Sequence, residues 1–427
     1  MNQTGYDCWQ LDNGLWVVAE PLSHLRSVSV GVWVGVGSAN ETKEENGLSH
    51  FIEHMVFKGT QKRSAKDFAT QMDEVGGQLN AFTGKDCTCF YAKVIDENLP
   101  LAVDILSDLV LNGVFDKGEL EKERGVIIEE IAMSEDDPED LVHELLAKAQ
   151  FADQSLGRSI LGPSQQIQNY SRADLLTYQK NHYLPENAVI SVAGNYALPL
   201  LKEVIEKYFG NWQGKGKKTI GENTPLAYHS GHFFHEKKTE QVHLCLGYEG
   251  RPLGGKNAYL MAMLNNLIGG GMSSLLFQRI REELGMAYSV YSYPLSYQNG
   301  GVLNIYAGMS EANALKVAVE IQGILEKLLA QGIDEKLFLQ MKNQLRGSYL
   351  LGLENVSGRM QSLGRSQLLL GKINKVEESL ALMESVTLEE ITALCHRIFS
   401  SKPAVALVST RGETLLKQME EISYYGR

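Results

Sequence analysis

Two imidazoles and one carboxylate fall within five residues in Gly47-Leu48-Ser49-His50-Phe51-Ile52-Glu53-His54-Met55. The surrounding run is apolar and helix-forming. On a helix, His50 and His54 are an i,i+4 pair that projects from one face and can grip a single metal ion. Glu53 lies three residues past His50, on that face but one step rotated, so it can reach a metal-bound water without being a ligand. Leu48, Phe51, Ile52, Met55, Val56 and Phe57 occupy the remaining faces, which predicts a largely buried helix. Burying two imidazoles and a carboxylate is costly unless something compensates them, and a divalent cation would. The pattern H-x-x-E-H is the inverted form of the metallopeptidase motif H-E-x-x-H. The bland alternative is a chance meeting of surface residues, so a third ligand and a supporting frame must come from elsewhere in the chain.

The elements that would provide this frame read in order. Residues 8–20 form a hairpin turning at Asp12-Asn13-Gly14, and 27–37 form a strand rich in valine. The polar run 38–46 leads into the His50 helix, and a second helix follows over 64–75 with Ser64 as N-cap. Strands over 76–83 and 88–95 are antiparallel partners, and helices follow over 98–112, 116–133, 138–150, 171–181 and 198–209 around a strand at 188–194. Residues 210–231, with Gly-Lys-Gly-Lys-Lys and no apolar periodicity, read as a linker. The second half repeats the order, with a strand at 242–248, a helix at 257–268, a strand pair at 288–293 and 301–308, and long helices at 311–329 and 334–351. A last helix spans 387–399 and a last strand 404–409. Leu363-Gly364-Arg365-Ser366 echoes Leu156-Gly157-Arg158-Ser159, whereas Leu264-Asn265-Asn266-Leu267-Ile268 stands on the helix matching the His50 helix and carries no metal motif. The expected fold class is therefore α+β. Two similar sandwich domains, each a mostly antiparallel sheet with helices packed on it, would occupy 1–210 and 232–427 about a linker at 211–231.

A catalytic zinc usually takes three protein ligands and leaves a position to water. The acidic helix 116–133 offers Glu119, Glu121, Glu123, Glu129 and Glu130, with Leu120, Val126, Ile127, Ile128 and Ile131 marking its buried side. A solvated acidic face accounts for Glu119, Glu121 and Glu129. It suits Glu123 and Glu130 poorly, because these two share one face and Glu130 lies between Ile127 and Ile131.

The motif, Glu123-Arg124-Gly125-Val126-Ile127-Ile128-Glu129-Glu130 beyond it, Asn80-Ala81-Phe82-Thr83, Gly269-Gly270-Gly271-Met272-Ser273-Ser274 and Arg281-Glu282-Glu283-Leu284-Gly285-Met286-Ala287-Tyr288 together resemble the M16 family of zinc peptidases, the inverzincins. The resemblance covers nearly the whole chain and is nearest the short two-domain members, among them the mitochondrial processing peptidase β-subunit and its bacterial counterparts. It implies a zinc endopeptidase acting on peptides or presequences. One Zn2+ per chain would be held by His50, His54 and Glu130, with Glu53 as general base and Glu123 supporting a ligand from outside. It further implies that Asn80, Ala81 and Phe82 form an edge strand on which an extended peptide adds, and that Arg281 and Tyr288 of the far half hold the peptide and its oxyanion. For Arg281 the alternative is a surface salt bridge with Glu282 or Glu283. Short members resemble half of a four-domain clam shell, which implies a homodimer. A scaffold or partner subunit without activity is the competing reading, and the presence of every motif residue speaks against it.

Composition bounds the rest. At 427 residues the chain should hold two to three domains, and 44% hydrophobic with 22% charged residues is ordinary for a globular protein. A net charge of −12 argues against a nucleic-acid partner, and no apolar run is long enough to cross a bilayer. Five scattered cysteines imply no disulfide framework and suggest a reducing, cytoplasmic compartment. Gly269-Gly270-Gly271 lacks the Gly-Lys-Ser/Thr of a phosphate loop, and His229, His232 and His235 are expected to be solvent-exposed beside the linker.

Overall fold

The computed structural model describes residues 5–214 and 226–421. Two compact units emerge, and neither is a contiguous stretch of chain. The first comprises the described residues of Met1–Ile131, Arg158–Glu222 and Leu350–Lys375, and the second those of Ala132–Gly157, Asn223–Tyr349 and Val376–Arg427. Relative to the contiguous division expected at 210 and 232, each unit therefore takes one segment from the other half. The expected linker is described only at its ends, since 215–225 lie outside the described residues.

The first unit is built on a six-stranded sheet. Its strands are β1 (Asp7–Gln10), β2 (Trp16–Pro21), β3 (Ser27–Val34), β4 (Gln78–Thr83), β5 (Thr88–Ile95) and β6 (Ala188–Gly194), in the order β1-β2-β6-β3-β5-β4. All neighbours are antiparallel except β2 and β6. The central strands β3 and β6 are buried nearly throughout, as strands covered on both faces must be. One face is filled by Phe51, Ile52 and Met55 of helix Leu48–Val56, Val103 and Leu106 of helix Leu99–Leu111, and Leu201 and Ile205 of helix Leu198–Phe209. The other face receives helix Val356–Leu370 from the second half of the chain, which packs on β2, β3 and β6. Closeness there depends on glycine. A Cβ at Gly364 would stand 2.0 Å from Nε1 of Trp33, whose indole is buried and donates to Ser191 Oγ at 2.8 Å.

The second unit has β7 (His232–Glu236), β8 (Val242–Glu249), β9 (Ala287–Tyr297), β10 (Gly300–Met309) and β11 (Ala404–Ser409), in the order β7-β11-β8-β10-β9. Here β7 and β11 are parallel and the rest antiparallel. The run β7-β11-β8-β10-β9 thus reproduces β2-β6-β3-β5-β4 in order and in the sense of every pairing. Helices Gly255–Ile268, Ala314–Gln331 and Leu388–Phe399 fill one face, and helix Pro138–Phe151 covers the other through Val142, Leu146 and Ala149 against Cys245, Ala404 and Ala406. The fold is α+β with two similar units, as expected.

Three readings change. Leu363-Gly364-Arg365-Ser366 lies within helix Val356–Leu370, whereas Leu156-Gly157 sit on a short 3₁₀ turn, so the two runs are not structural equivalents. His229 and His235 are exposed as expected, whereas His232, on β7, is half-buried and its Nδ1 meets Glu420 Oε1 at 2.8 Å. Val126, assigned to the buried side of its helix, is 49% exposed, because Leu120, Glu123, Ile127 and Ile131 form the inward stripe.

Candidate metal centre

Helix Leu48–Val56 starts at Gly47, whose φ of 99° is open to glycine and strained for other residues. A Cβ there would also come within 2.8 Å of the Leu161 carbonyl oxygen. Two N–H groups of this first turn are taken by Glu41 and a third, that of Leu48, by the Glu45 carbonyl. The Glu41 carboxylate accepts from Gly47 and Ser49 N–H, each at 2.8 Å, and from Asn46 Nδ2 at 3.0 Å. A carboxylate at a helix N-terminus is favourably placed against the helix dipole. Burial raises the Glu41 pKa, and these donors pull it back. The next turns bury Phe51, Ile52, Met55 and Val56 completely, which leaves His50, Glu53 and His54 on the opposite side.

Helix Lys117–Asp136 brings Glu130 to that side. Glu130 Oε2 lies 3.7 Å from His50 Nε2 and 3.6 Å from His54 Nε2. Neither separation is a hydrogen bond. Both are close to the edge of about 3.4 Å that separates donors sharing one tetrahedral ion at about 2.1 Å. Glu130 Oε2 is buried and has no hydrogen-bond partner, although the side chain as a whole is 44% exposed. These three are the group of His, Cys, Asp and Glu donors converging closely enough to hold a metal ion, within 4.8 Å, among the described residues. Burial, with His54 as a neighbour, pushes the His50 pKa down to about 3. The imidazole is therefore neutral at ordinary pH, the form that binds a metal. A donor set of two imidazoles and one carboxylate suits zinc.

His54 turns its other nitrogen outward from the cluster. Nδ1 stands 3.1 Å from Glu123 Oε2, and Glu123 Oε1 meets Lys58 Nζ at 2.6 Å. Glu123 is 5% exposed, so both its oxygens need partners and have them. A carboxylate on the far nitrogen of a ligating histidine orients the ring and raises its basicity. Glu53 occupies the same helix face. Burial raises its pKa above the ordinary carboxylate value, and hydrogen bonds from Thr83 oppose the rise; Thr83 Oγ1 donates to Glu53 Oε2 at 2.5 Å.

The remaining candidates divide between the units. Asn80, Ala81 and Phe82 lie on β4, the outermost strand of the first sheet, with Asn80 exposed and Phe82 packed edge-on to Trp33 at 5.7 Å. Arg281 and Tyr288 belong to the second unit and meet there. The Arg281 guanidinium, on the π-helical turn Phe277–Glu283, lies 5.3 Å from the centre of the Tyr288 ring, itself 74% exposed. Arg281 touches Glu282 only at 4.0 Å, and Glu283 pairs with Arg279 instead.

Comparison with known proteins decides the family. Residues 17–164 match the family described as Insulinase (Peptidase family M16), and residues 169–345 match the Peptidase M16 inactive domain. The uncharacterized zinc protease YmxG of Bacillus subtilis is 44% identical over 95% of this chain and 98% of its own length. The chain belongs to peptidase family M16. An uncharacterized zinc protease of Rickettsia felis is 36% identical over 93% of this chain and 96% of its own. Among solved structures, a protease from Helicobacter pylori superposes with a TM-score of 0.88 at 22% identity, covering 95% of this chain and 99% of that one. A putative M16-like peptidase from Alicyclobacillus acidocaldarius gives 0.84 at 21% identity over 96% and 99%. These two likenesses establish the shared fold. In this M16 chain, the inactive-domain match falls on the half without H-x-x-E-H, and no described helix is long and apolar enough to cross a membrane.

Three residues have roles that the sequence does not disclose. Glu41 and Lys58 act through partners distant in sequence or set by burial, Asn46 and Gly47 for one and Glu123 for the other. Thr83 closes the run Asn80-Ala81-Phe82-Thr83 without a role of its own there, because its bond to Glu53 depends on how β4 packs against helix Leu48–Val56.

Proposed function

We propose that the chain is a zinc-dependent endopeptidase with His50, His54 and Glu130 as ligands and Glu53 as general base. The observation that carries this reading is the convergence of two Nε2 atoms on the unpartnered, buried Oε2 of Glu130. A zinc ion held by these three would polarise a peptide carbonyl and bring the pKa of a water to about 7. Glu53, buried enough to hold a proton more readily than a surface glutamate, takes the proton of the attacking water and returns it to the leaving amine. Glu123, braced by Lys58, fixes the tautomer of His54 with Nδ1 as donor and Nε2 left for the ion.

Substrate is an extended or unfolded peptide. The free edge of β4 at Asn80, Ala81 and Phe82 offers backbone groups for strand addition, a mode that reads little side-chain sequence. Arg281 and Tyr288 contact the peptide, the guanidinium being held over the phenol rather than tied up in a strong ion pair. One zinc per chain, a homodimeric state and a cytoplasmic setting complete the proposal; the five free cysteines are in keeping with a reducing compartment.

The test is cleavage of a quenched basic peptide by the purified full chain before and after chelation. Activity lost with chelator and recovered with added zinc is the expected result. Activity indifferent to the chelator at zero bound metal contradicts it.

A further inference from the structure

A general base must keep one oxygen aimed at the proton it removes, yet the terminal torsion of a glutamate is broad and roughly two-fold. Glu53 has such a constraint. Thr83 Oγ1 donates to Glu53 Oε2 at 2.5 Å, and no residue other than Thr83 hydrogen-bonds this carboxylate among those described. The donor itself is held firmly. Thr83 ends β4 and pairs with Thr88 of β5, whose hydroxyl donates to the Val36 carbonyl at 2.9 Å. The preceding Phe82 is packed between Trp33 and Tyr91. A β-branched side chain on a paired strand has little torsional freedom, so its hydroxyl is a fixed point for the carboxylate.

We propose that Thr83 is a positioning residue for peptide hydrolysis: its hydroxyl locks the Glu53 carboxylate through Oε2 and ties the base to the strand on which the peptide adds. The inference rests on the reading of Glu53 as general base under Proposed function. Oε2 is engaged as an acceptor, which leaves Oε1 to take the proton. Because the same residue terminates β4, the backbone that registers the peptide and the group that orients the base move as one piece. A threonine with a purely structural role would contribute to stability through this bond and leave the chemical step untouched.

The test compares Thr83→Val, which removes the donor at nearly constant volume, with Thr83→Ser, which keeps it, in the full chain loaded with zinc. Thr83→Val is expected to lower kcat by about tenfold or more with KM and zinc content unchanged, and Thr83→Ser to recover kcat to within about threefold of wild type. Combined with Glu53→Gln, Thr83→Val should have no further effect, since both act on one group. Thr83→Ala repeats the deletion without the branched side chain, should the valine variant fold poorly. A crystal structure of metal-free Thr83→Val gives a readout independent of turnover, and the Glu53 carboxylate is expected to leave its wild-type orientation. Unchanged kcat with the carboxylate in place overturns the proposal. If the wild type cleaves no peptide, the peptidase reading falls, and the carboxylate orientation alone still decides whether Thr83 holds Glu53.

Discussion

His50 and His54 present the same nitrogen to Glu130 but are supported differently. His54 Nδ1 has Glu123 behind it, and Glu123 has Lys58, whereas His50 Nδ1 is buried without a partner among the described residues. The support at His54 is therefore expected to carry a measurable share of metal affinity. Glu123→Gln keeps the shape and removes the charge. It should weaken zinc binding by about 10- to 100-fold in a competition titration with a chromophoric chelator, while leaving the fold intact. Equal affinity in variant and wild type would contradict a supporting role for Glu123. At this scale much is legible in the residue order. His50, Glu53 and His54 are local, and Glu130 is distinguished from Glu129 by its neighbours. The roles of Glu41, Lys58 and Thr83 are not legible there, because each depends on a contact between elements whose packing the residue order does not reveal.

Element by element, the strands and most helices follow from alternation and capping. Ser64, for example, caps helix Ala65–Glu74 with Asp67 completing the reciprocal pair. What periodicity cannot show is which sheet each helix covers. Helix Val356–Leu370 lies on the first sheet because Gly31 and Gly364 let it approach Trp33 closely. Gly364→Ala should lower the unfolding midpoint in urea, at a cost of about 1–3 kcal/mol, since the buried indole is pinned to Ser191 and cannot retreat. A variant as stable as wild type would contradict that packing. Helix Pro138–Phe151 is held to the second sheet partly by polar contacts. His143 meets the hydroxyls of Tyr293 at 2.7 Å and Tyr291 at 3.2 Å, and Tyr291 donates to Glu139 at 2.8 Å. Burial lowers the pKa of His143, outweighing Glu139 and Asp140, and lowers that of His243 as well. A histidine whose folded pKa is depressed takes up its proton more readily when unfolded. Stability is thus expected to be full above about pH 6.5 and to fall as the pH drops below it. Urea titrations at pH 7.5 and 5.5 measure this, and His143→Gln should flatten part of the slope.

At the scale of the molecule, the two units share one strand order, and among the described residues the metal group lies in the first. The matching topology is visible in the sequence as a repeated order of elements. The exchange of helix Pro138–Phe151 and helix Val356–Leu370 between halves is not, since an amphipathic helix does not declare which sheet it will cover. The proposed homodimer predicts a solution mass of twice the chain mass by light scattering, and a monomer that cleaves peptides at full rate would remove it. Whether His50, His54 and Glu130 hold a zinc on which Glu53 depends for catalysis is decided by one comparison. Wild type and Glu53→Gln are purified side by side and assayed for bound zinc and for cleavage of a quenched basic peptide. About one zinc per chain is expected in both, with cleavage reduced by about 10²- to 10⁴-fold in the variant. No zinc in the wild type, or a variant that cleaves as fast as the wild type, would contradict the assignment.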